Sequence, residues 1–424
     1  MRPPVSCLPS HDQSQEGTIA MKYDFDREIN RKETQSAKWG VIQDPDNPSR
    51  WHATDDYYGE ERVLPLWVAD MDFPAPQPVV DALVRRAQHG IYGYTIRTAD
   101  HDRAVVDWMN RRHGWAIEPG WIVSTPGVVP AVNFLVRTFT QPGEKVLVQR
   151  PVYYPFFNAI ENNGAQIVSS SLILEGGRYA MDFDDFEKKA ADPATTLYIL
   201  CSPHNPVGRV WTREELIRVG EICLKYRVLV VADEIHADLI YRGITFTPFG
   251  AISEDMAHNT LVCTAPSKTF NLAGLHTSNI IISNDRLRHR FQQTLNSCGM
   301  GKWASPFGVL ACETAYREGE PWLEQVMAYI EGNLDYLQGF IDKHVPGMRV
   351  IRPEGTYLVW LDCRGLGLDK WSLKHLMLRK ARIFPDEGFI FGPEGDGFER
   401  INIACPRSIL QDALTRIRRA VDAL

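Results

Sequence analysis

Several features of secreted, membrane and nucleic-acid-binding proteins are missing from this sequence of 424 residues. Its eight cysteines form no CxxC pair and no regular spacing, so most are expected to be reduced thiols in the core. No apolar run approaches the roughly 20 residues that a transmembrane helix needs. The first 20 residues lack the apolar core of a signal peptide. We therefore predict a cytoplasmic protein without a membrane partner.

An excess of basic residues is also missing. The chain has 46 Lys and Arg against 53 Asp and Glu, a net charge of −7, and nucleic-acid-binding proteins are more often basic. Nucleic acid is therefore not a predicted partner, and no metal site is predicted. Hydrophobic residues (44%) and charged residues (23%) are at ordinary levels for a globular protein, and the length predicts one or two domains. Residues 1–20, rich in Pro, Ser and Gln, are predicted to be a disordered extension.

From about Lys145 the chain alternates β-branched runs with helical patterns. The predicted strands are KVLVQ (145–149), AQIVSSSL (165–172), TLYILCS (196–202), VLVVAD (228–233), TLVCTA (260–265) and SNIIIS (278–283). Nearly continuous apolar strands indicate a parallel sheet covered by helices on both faces. We therefore predict an α/β fold with a three-layer αβα large domain, whose ligand lies beyond the carboxyl ends of the strands.

The last hundred residues show a different pattern. A long helical pattern over about 304–343 precedes MRVIRPEGTYLVWLD (348–362), a helix near 371–382, the strand FERINIA (398–404) and a final helix. This order predicts a smaller α+β domain. The predicted boundaries are 76–310 for the large domain, 311–424 for the small one, and 21–75 for an N-terminal segment that packs with the small domain.

Polar residues follow two of the predicted strands. In SPHNPVG (202–208), Asn205 lies between prolines; this is either a ligand-binding position or simply a tight turn. Asp233 ends VLVVAD and Glu234 follows it, at a strand end where a buried carboxylate is costly unless it has a partner. A cationic ring nitrogen would be such a partner; the alternatives are a backbone cap or a distant arginine.

Lys268 follows a third strand, in the nearly uncharged stretch TAPSKTFNLAGLH (264–276). Taken alone, it would be a surface lysine. Taken with Asn205 and Asp233, it lies where an α/β sheet binds its ligand, and a desolvated lysine of lowered pKa suits Schiff-base formation.

Together, NPVG, ADEIH and APSKTFNLAGL resemble the fold-type I pyridoxal-phosphate enzymes, the aspartate-aminotransferase superfamily. More narrowly, they resemble its cystathionine β-lyase (C–S lyase) branch, of the MalY and PatB type. Supporting stretches are LPLWVADMDFPAPQPVVDAL (64–83), GIYGYT (90–95), PEGTYLVWLD (353–362) and GFERINIACPRS (397–408). The resemblance spans about 23–424 in the same order and implies pyridoxal 5'-phosphate as the cofactor.

The resemblance implies a role for each matching residue. Lys268 would hold the cofactor as a Schiff base and later move the α-proton of the substrate. Asp233 would pair with the pyridinium nitrogen, and Asn205 would donate to the phenolic oxygen of the ring. Tyr153, with Tyr154 as the competing candidate, would stack on the ring. Arg400 would bind the substrate carboxylate as a bidentate fork; the alternative is a surface arginine on a strand.

The phosphate is expected at the turn TPGVVP. Gly127 and the N–H groups of Val128 and Val129 would face it at the start of a helix, and Ser267 would add a hydroxyl. Tyr94 matches the tyrosine that relatives donate from a neighbouring subunit, which implies a homodimer with active sites at the interface; core packing with Tyr92 is the alternative.

Two departures from the aminotransferase pattern concern histidines. His276 replaces the arginine that clamps the phosphate in aspartate-type transaminases, and its role stays open. His236 replaces a tyrosine near the ring, and the DEIH form fits the C–S lyase branch. Lys302 and Trp303, in GMGKWASPFG (299–308), would either shape side-chain preference or pack within their loop.

Two reactions share deprotonation of an amino-acid substrate by Lys268. Departure of a thiolate from Cβ gives β-elimination, and protonation of the cofactor gives transamination; Tyr94 or Lys268 would protonate the departing sulfur. The resemblance favours β-elimination of L-cystathionine or related S-substituted cysteines. The alternatives are an aminotransferase of class I/II and a cofactor-binding regulator with little turnover.

Overall fold

The computed structural model describes residues 21–44, 47, 50–54, 62–301 and 304–424. Within these ranges, no helix is both long enough and apolar enough to cross a membrane. The predictions for residues 1–20, Lys302 and Trp303 lie outside the described residues.

The strands of the described ranges are short, and most have buried side chains. In chain order they are β1 (Val41–Gln43), β2 (Trp51–Ala53), β3 (Leu64–Pro65), β4 (Ile122–Thr125), β5 (Lys145–Val148), β6 (Gln166–Ser169), β7 (Ile173–Glu175), β8 (Arg178–Ala180), β9 (Thr195–Cys201), β10 (Leu229–Asp233), β11 (Thr260–Thr264), β12 (Ser278–Ile281), β13 (Arg349–Ile351), β14 (Leu358–Asp362), β15 (Ile383–Phe384), β16 (Asp386–Glu387) and β17 (Phe398–Asn402).

In the same described ranges, α-helices alternate with most of these strands. They are α1 (Ala37–Gly40), α2 (Gln77–His89), α3 (Ala99–His113), α4 (Val128–Phe139), α5 (Pro155–Glu161), α6 (Phe183–Ala190), α7 (Arg213–Tyr226), α8 (Glu254–His258), α9 (Pro266–Thr269), α10 (Asp285–Ser297), α11 (Pro306–Glu318), α12 (Glu320–His344), α13 (Lys370–His375) and α14 (Arg407–Val421). A π-helical segment, Leu376–Ala381, continues α13.

Seven strands form one sheet in the order β4–β12–β11–β10–β9–β5–β6. Only β12 in this sheet runs antiparallel to its neighbours. Side chains of one strand alternate between the two faces: Val231 packs with α4, α5 and α10, whereas Val230 and Ala232 pack with α3, α7 and α11. The predicted three-layer α/β fold with a mostly parallel sheet is confirmed.

The register of the sheet brings three strand ends together. Asp233, the last residue of β10, lies beside Cys201 of β9 and Cys263 of β11. The three strands therefore end at one edge. Asn205 follows β9 by four residues and Lys268 follows β11 by four residues, so both lie at that edge with Asp233.

Two local predictions need correction. β4 was not among the predicted strands, because IVST is short and adjoins the TPG turn. The helical pattern over 304–343 is two helices, separated at Gly319. Pro321 has no N–H with which to continue α11, and a Cβ at Gly319 would lie 2.6 Å from the Phe270 ring.

The C-terminal part of the chain forms a four-stranded antiparallel sheet in the order β13–β14–β17–β16. The N-terminal segment contacts this part of the chain through β3, which pairs with β15 in parallel as a separate two-stranded sheet. The boundaries at residues 76 and 311 stay predictions.

Hydrogen bonds hold the segment 67–72 against β17, and an ion pair holds it against α1. Asn402 donates to the carbonyls of Val68 and Asp70 at 2.7 and 2.6 Å. The fully buried Lys38 pairs with Asp72 at 2.7 Å. These contacts fix the backbone between Val68 and Asp70, which borders the site described next.

Candidate active site

A cavity of about 240 Å³ lies at the shared edge of β9, β10 and β11. All predicted site residues except Tyr94 and Arg400 line it. The lining is Ala69, Pro126, Gly127, Val128, Val129, Pro130, Tyr153, Cys201, Asn205, Asp233, Ile235, His236, Ser267, Lys268, Ala273, His276 and Thr277.

Lys268 carries the primary amine of this cavity. Its Nζ donates to the carbonyl of Ala69 at 2.6 Å, and the side chain is half-buried. Burial lowers the pKa of Lys268 to about 8, because desolvation disfavours the ammonium; the charge of Asp70 opposes this shift. A sizeable share of the amine is therefore neutral near pH 8, as a nucleophile or base requires.

Asp233 presents a carboxylate to the cavity. Its Oδ1 accepts the N–H of Ile235 at 3.1 Å, and its Oδ2 accepts no hydrogen bond from the described part of the chain. Burial raises the pKa of Asp233 to about 7. A cation held in the cavity would reverse this shift, which makes Asp233 a ready partner for one.

The neighbouring Glu234 has a different environment. Its Oε1 accepts the N–H of Phe249 at 2.7 Å, so for Glu234 the backbone-cap interpretation is the one that the structure shows. Burial raises the pKa of Glu234 to about 8. Glu234 does not line the cavity.

The start of α4 provides the donors for an anion. Gly127 precedes the helix with a φ of 131°, a conformation that glycine adopts readily and residues with a Cβ rarely adopt. No side chain accepts a hydrogen bond from the first amides of the helix. The N–H groups of Val128 and Val129 are therefore uncapped at a helix N-terminus that borders the cavity, and Ser267 is also part of the lining. Such an arrangement binds phosphate.

Arg400 lies behind Asn205, outside the cavity lining. Its Nη1 donates to Asn205 Oδ1 at 3.0 Å, and its Nη2 donates to the carbonyl of Trp67 at 2.7 Å and to Asp386. Its side chain is 2% exposed, so the alternative of a surface arginine is wrong. The bidentate binding of a substrate carboxylate by Arg400 stays a prediction. For this binding, Nη2 would have to give up its hydrogen bond to Asp386 and donate to the substrate instead.

The aromatic candidates occupy different places. Tyr153 lines the cavity, whereas Tyr154 packs against Phe391 with ring centroids 5.7 Å apart. His236 lines the cavity edge-on to Tyr357, and burial lowers the pKa of His236 to about 3, so its ring is neutral at pH 7. Of the two tyrosines, only Tyr153 is placed to contact a ring in this cavity.

Tyr94 lies away from this cavity on the surface of the chain, 87% exposed. The alternative of core packing with Tyr92 is therefore wrong for the single chain; Tyr92 packs against Phe307 instead. His276 lines the cavity with a positive φ of 51°, and its role stays open.

Sequence reasoning missed several residues of the site. Ala69 accepts from Lys268, and Trp67 and Asp386 accept from Arg400. Trp67 and Ala69 lie in the stretch LPLWVADMDF, whose resemblance to the C–S lyase branch could have indicated a place in the site. Asp386 belongs to a two-residue strand in a stretch without any pattern, so nothing local pointed to it.

Comparisons with known proteins agree with this geometry. The profile of the family described as class I and II aminotransferases matches residues 61–417. Cystathionine beta-lyase PatB of Bacillus subtilis (strain 168) is 43% identical over 397 residues, covering 94% of this chain and 99% of PatB.

Two solved structures share the fold over almost the whole chain. Cystalysin from Treponema denticola, which contains pyridoxal 5'-phosphate, is 40% identical with a TM-score of 0.89, covering 95% of this chain and all of that one. The PLP-bound C–S lyase from Staphylococcus hominis is 32% identical with a TM-score of 0.86, covering 96% of this chain and all of its own.

Proposed function

Given that the chain belongs to the family of class I and II aminotransferases, we propose that it is a pyridoxal-phosphate-dependent carbon–sulfur β-lyase. It cleaves L-cystathionine or related S-substituted cysteines to a thiol, pyruvate and ammonia. The observation that carries this proposal is the 43% identity to a cystathionine beta-lyase over 94% of the chain. Transamination is the second candidate, because the family as a whole is described as aminotransferases.

The groups in the cavity fit pyridoxal phosphate. Lys268 offers an amine of lowered pKa, and Asp233 offers a buried carboxylate whose ionised form a bound cation would stabilise. The uncapped N-terminus of α4 offers donors for a phosphate. The cavity also has Tyr153, whose ring can pack on the cofactor ring, and Asn205, whose amide can bind a polar atom at the edge of that ring. When bound, the cofactor stabilises negative charge at the substrate Cα.

The residues of the chain then perform the proton transfers. Lys268 removes the Cα proton as a neutral amine, and the ammonium that results can protonate the sulfur as it leaves Cβ. Arg400 binds the substrate carboxylate after its hydrogen bond to Asp386 has broken. Water then converts the three-carbon product to pyruvate and ammonia, so the overall reaction consumes one water per substrate.

The product mixture tests this proposal. Purified protein with bound cofactor and L-cystathionine is expected to give homocysteine, pyruvate and ammonia in equal amounts. We would quantify the thiol by a colorimetric reagent and the pyruvate by lactate dehydrogenase coupling. A keto acid that retains the sulfur would instead identify transamination, and a bound cofactor without any product would favour a regulator.

We further propose a homodimer in which Tyr94 completes the site of the partner subunit. The segment around Tyr94 supports this, because Ile91, Tyr92 and Ile96 are 68, 55 and 62% exposed, an unusual apolar surface for a single chain. A cytoplasmic location is supported by the seven described cysteines, which are all unpaired and mostly buried.

Mixing subunits tests this shared site. Tyr94→Ala and Lys268→Ala are each expected to be inactive as pure proteins. Mixed in equal amounts under conditions of subunit exchange, they are expected to regain about a quarter of the parent activity, because half of the dimers then have one intact site of two. No recovery, despite exchange shown by native mass spectrometry, would contradict the proposal.

A further inference from the structure

Asp238 is a buried carboxylate in the loop that follows β10, and it does not line the cavity. Three donors from two helices surround it. Its Oδ1 accepts the indole N–H of Trp108 at 3.0 Å and a hydrogen bond from Nε2 of His113 at 2.8 Å. Its Oδ2 accepts the hydroxyl of Thr269 at 2.6 Å. The carboxylate therefore joins α3 and α9 to the loop that begins at Asp233.

These donors keep Asp238 ionised. Burial by itself would raise the pKa of Asp238, but the hydrogen bond and the charge of His113, together with the hydrogen bond of Thr269, outweigh burial and hold that pKa below its usual range. A buried carboxylate with several donors has one preferred orientation, because the loss of a donor leaves a desolvated charge without its partner. Asp238 is therefore a rigid acceptor for the hydroxyl of Thr269.

Thr269 directly follows Lys268 and is the last residue of α9. This helix is a single turn, Pro266–Thr269, and no side chain caps its N-terminus. A helix of one turn is not stable in isolation, so tertiary contacts must fix it. A threonine in a helix can donate to a carbonyl of the preceding turn, but the fully buried Thr269 donates to Asp238 instead. This hydrogen bond therefore orients the turn that carries Lys268.

The contact between Asp238 and Thr269 lies beyond the paired part of β10 and β11. The last paired residues of these strands are Asp233 and Cys263. Lys268 comes after the end of β11, so the pairing of the strands does not fix its position. The hydrogen bond from Thr269 to Asp238 joins the two segments after the strands have ended. It therefore fixes the turn of Lys268 relative to the loop of Asp233.

We propose that Asp238 is a positioning residue, which holds the α9 turn so that Lys268 enters the cavity in one orientation. Asp238 acts through the hydroxyl of Thr269. The effect on turnover rests on the proposed function, whereas the effect on attachment of the cofactor requires only that Lys268 is the attachment site. Misplacing an attacking group by about 1 Å costs on the order of 10²-fold in rate. Loss of the Thr269 hydroxyl is therefore expected to slow both reactions of Lys268.

The rate of cofactor attachment tests this proposal. Cofactor-free protein is mixed with saturating pyridoxal 5'-phosphate and reduced with borohydride at intervals, and labelling of Lys268 is measured by mass spectrometry. Thr269→Val, which is isosteric and removes only the hydroxyl, is expected to attach the cofactor roughly 10- to 100-fold more slowly than the parent. Thr269→Ser, which keeps a hydroxyl, is expected to recover most of the rate.

A second variant removes a donor on the other side of Asp238. His113→Ala, at the C-terminal end of α3, is expected to slow attachment in the same direction but by less than Thr269→Val, because it leaves the Thr269 hydrogen bond in place. This variant decides the test if Thr269→Val does not fold. A parent rate of attachment in His113→Ala would then overturn the proposal.

Thr260→Val is the matched control. The buried hydroxyl of Thr260 donates to the carbonyl of Met256, also at 2.6 Å, but at the start of β11, away from Lys268. Both valine variants are expected to lower the midpoint of chemical denaturation by similar amounts, whereas Thr260→Val is expected to attach the cofactor at the parent rate. Equal attachment rates in the two valine variants, or no recovery in Thr269→Ser, would overturn the proposal.

Steady-state kinetics with L-cystathionine gives a second readout. Thr269→Val is expected to lower kcat with little change in KM, because the hydroxyl orients Lys268 and does not line the cavity. An increase in KM with unchanged kcat would contradict the positioning role. Failure of the lyase function would be seen separately, as absence of pyruvate from the parent protein while the attachment rates still differ between the two valine variants.

Discussion

Replacing Lys268 with alanine is expected to lower kcat at least about 10³-fold, because the variant loses both the amine that attaches the cofactor and the base that moves the Cα proton. The lowered pKa of Lys268, about 8, and its position in the cavity lining are the structural basis for both roles. We would measure pyruvate from L-cystathionine at saturating substrate.

A covalent readout separates this effect from a general loss of structure. Borohydride reduction followed by mass spectrometry is expected to attach the cofactor to Lys268 in the parent and to no lysine in Lys268→Ala. Lys188→Ala, which changes an exposed lysine of α6, is the control and is expected to retain both activity and attachment. Covalent attachment in Lys268→Ala would refute the assignment of this lysine.

Replacing Asp233 with asparagine is expected to have opposite effects on activity and on stability. In the cofactor-loaded protein, kcat is expected to fall about 10²- to 10³-fold, because the isosteric amide removes the charge that would balance a cationic ring. Asp184→Asn, at a fully exposed position, is the control and is expected to be neutral. Unchanged kcat in Asp233→Asn would contradict the assigned role.

The stability effect follows from the raised pKa of Asp233, about 7 in the cofactor-free chain against 3.8 for an unperturbed aspartate. Below pH 4 the carboxyl is protonated in both the folded and the unfolded states, and its contribution to stability is fully present. As the pH rises towards 7, the unfolded state ionises first and this contribution is lost. At pH 8 the cofactor-free Asp233→Asn chain is therefore expected to be more stable than the parent by roughly 4 kcal/mol.

Chemical denaturation of the cofactor-free proteins at pH 5 and pH 8 checks this prediction. The difference in the free energy of unfolding between Asp233→Asn and the parent is expected to grow with pH. A difference that is constant or shrinks with pH would mean that the carboxylate is not desolvated. Functional sites are commonly destabilised in this way, because a buried charged group that binds a ligand lowers the stability of the ligand-free protein.

The positions of Asn205, Asp233 and Lys268 were predictable because each lies at or just after the end of a strand with a strong local pattern. Parallel strands end at one edge, so three separate local signals locate one site. β4 escaped prediction because two of its four residues, Ser124 and Thr125, are polar and the TPG turn begins within it. The division of the long helix at Gly319 depends on a contact with Phe270, which is distant in sequence.

The parts of the site that sequence reasoning missed depend on contacts between distant segments. The pairing of Arg400 with Asp386 joins β17 to a two-residue strand, and the contact of Lys268 with Ala69 spans 199 residues. Tyr94 is a different case, because its predicted role needs a second chain. Its 87% exposure in the single chain fits that role without testing it.

The central claim, that the chain is a β-lyase, is tested most directly by counting turnovers without an amino-group acceptor. Cofactor-loaded protein is given L-cystathionine in buffer free of keto acids, and pyruvate is counted per subunit. A lyase regenerates its cofactor in each cycle, so the account predicts pyruvate that keeps accumulating over many cycles. Product formation that stops after one cycle, and resumes only when a keto acid is added, would contradict it.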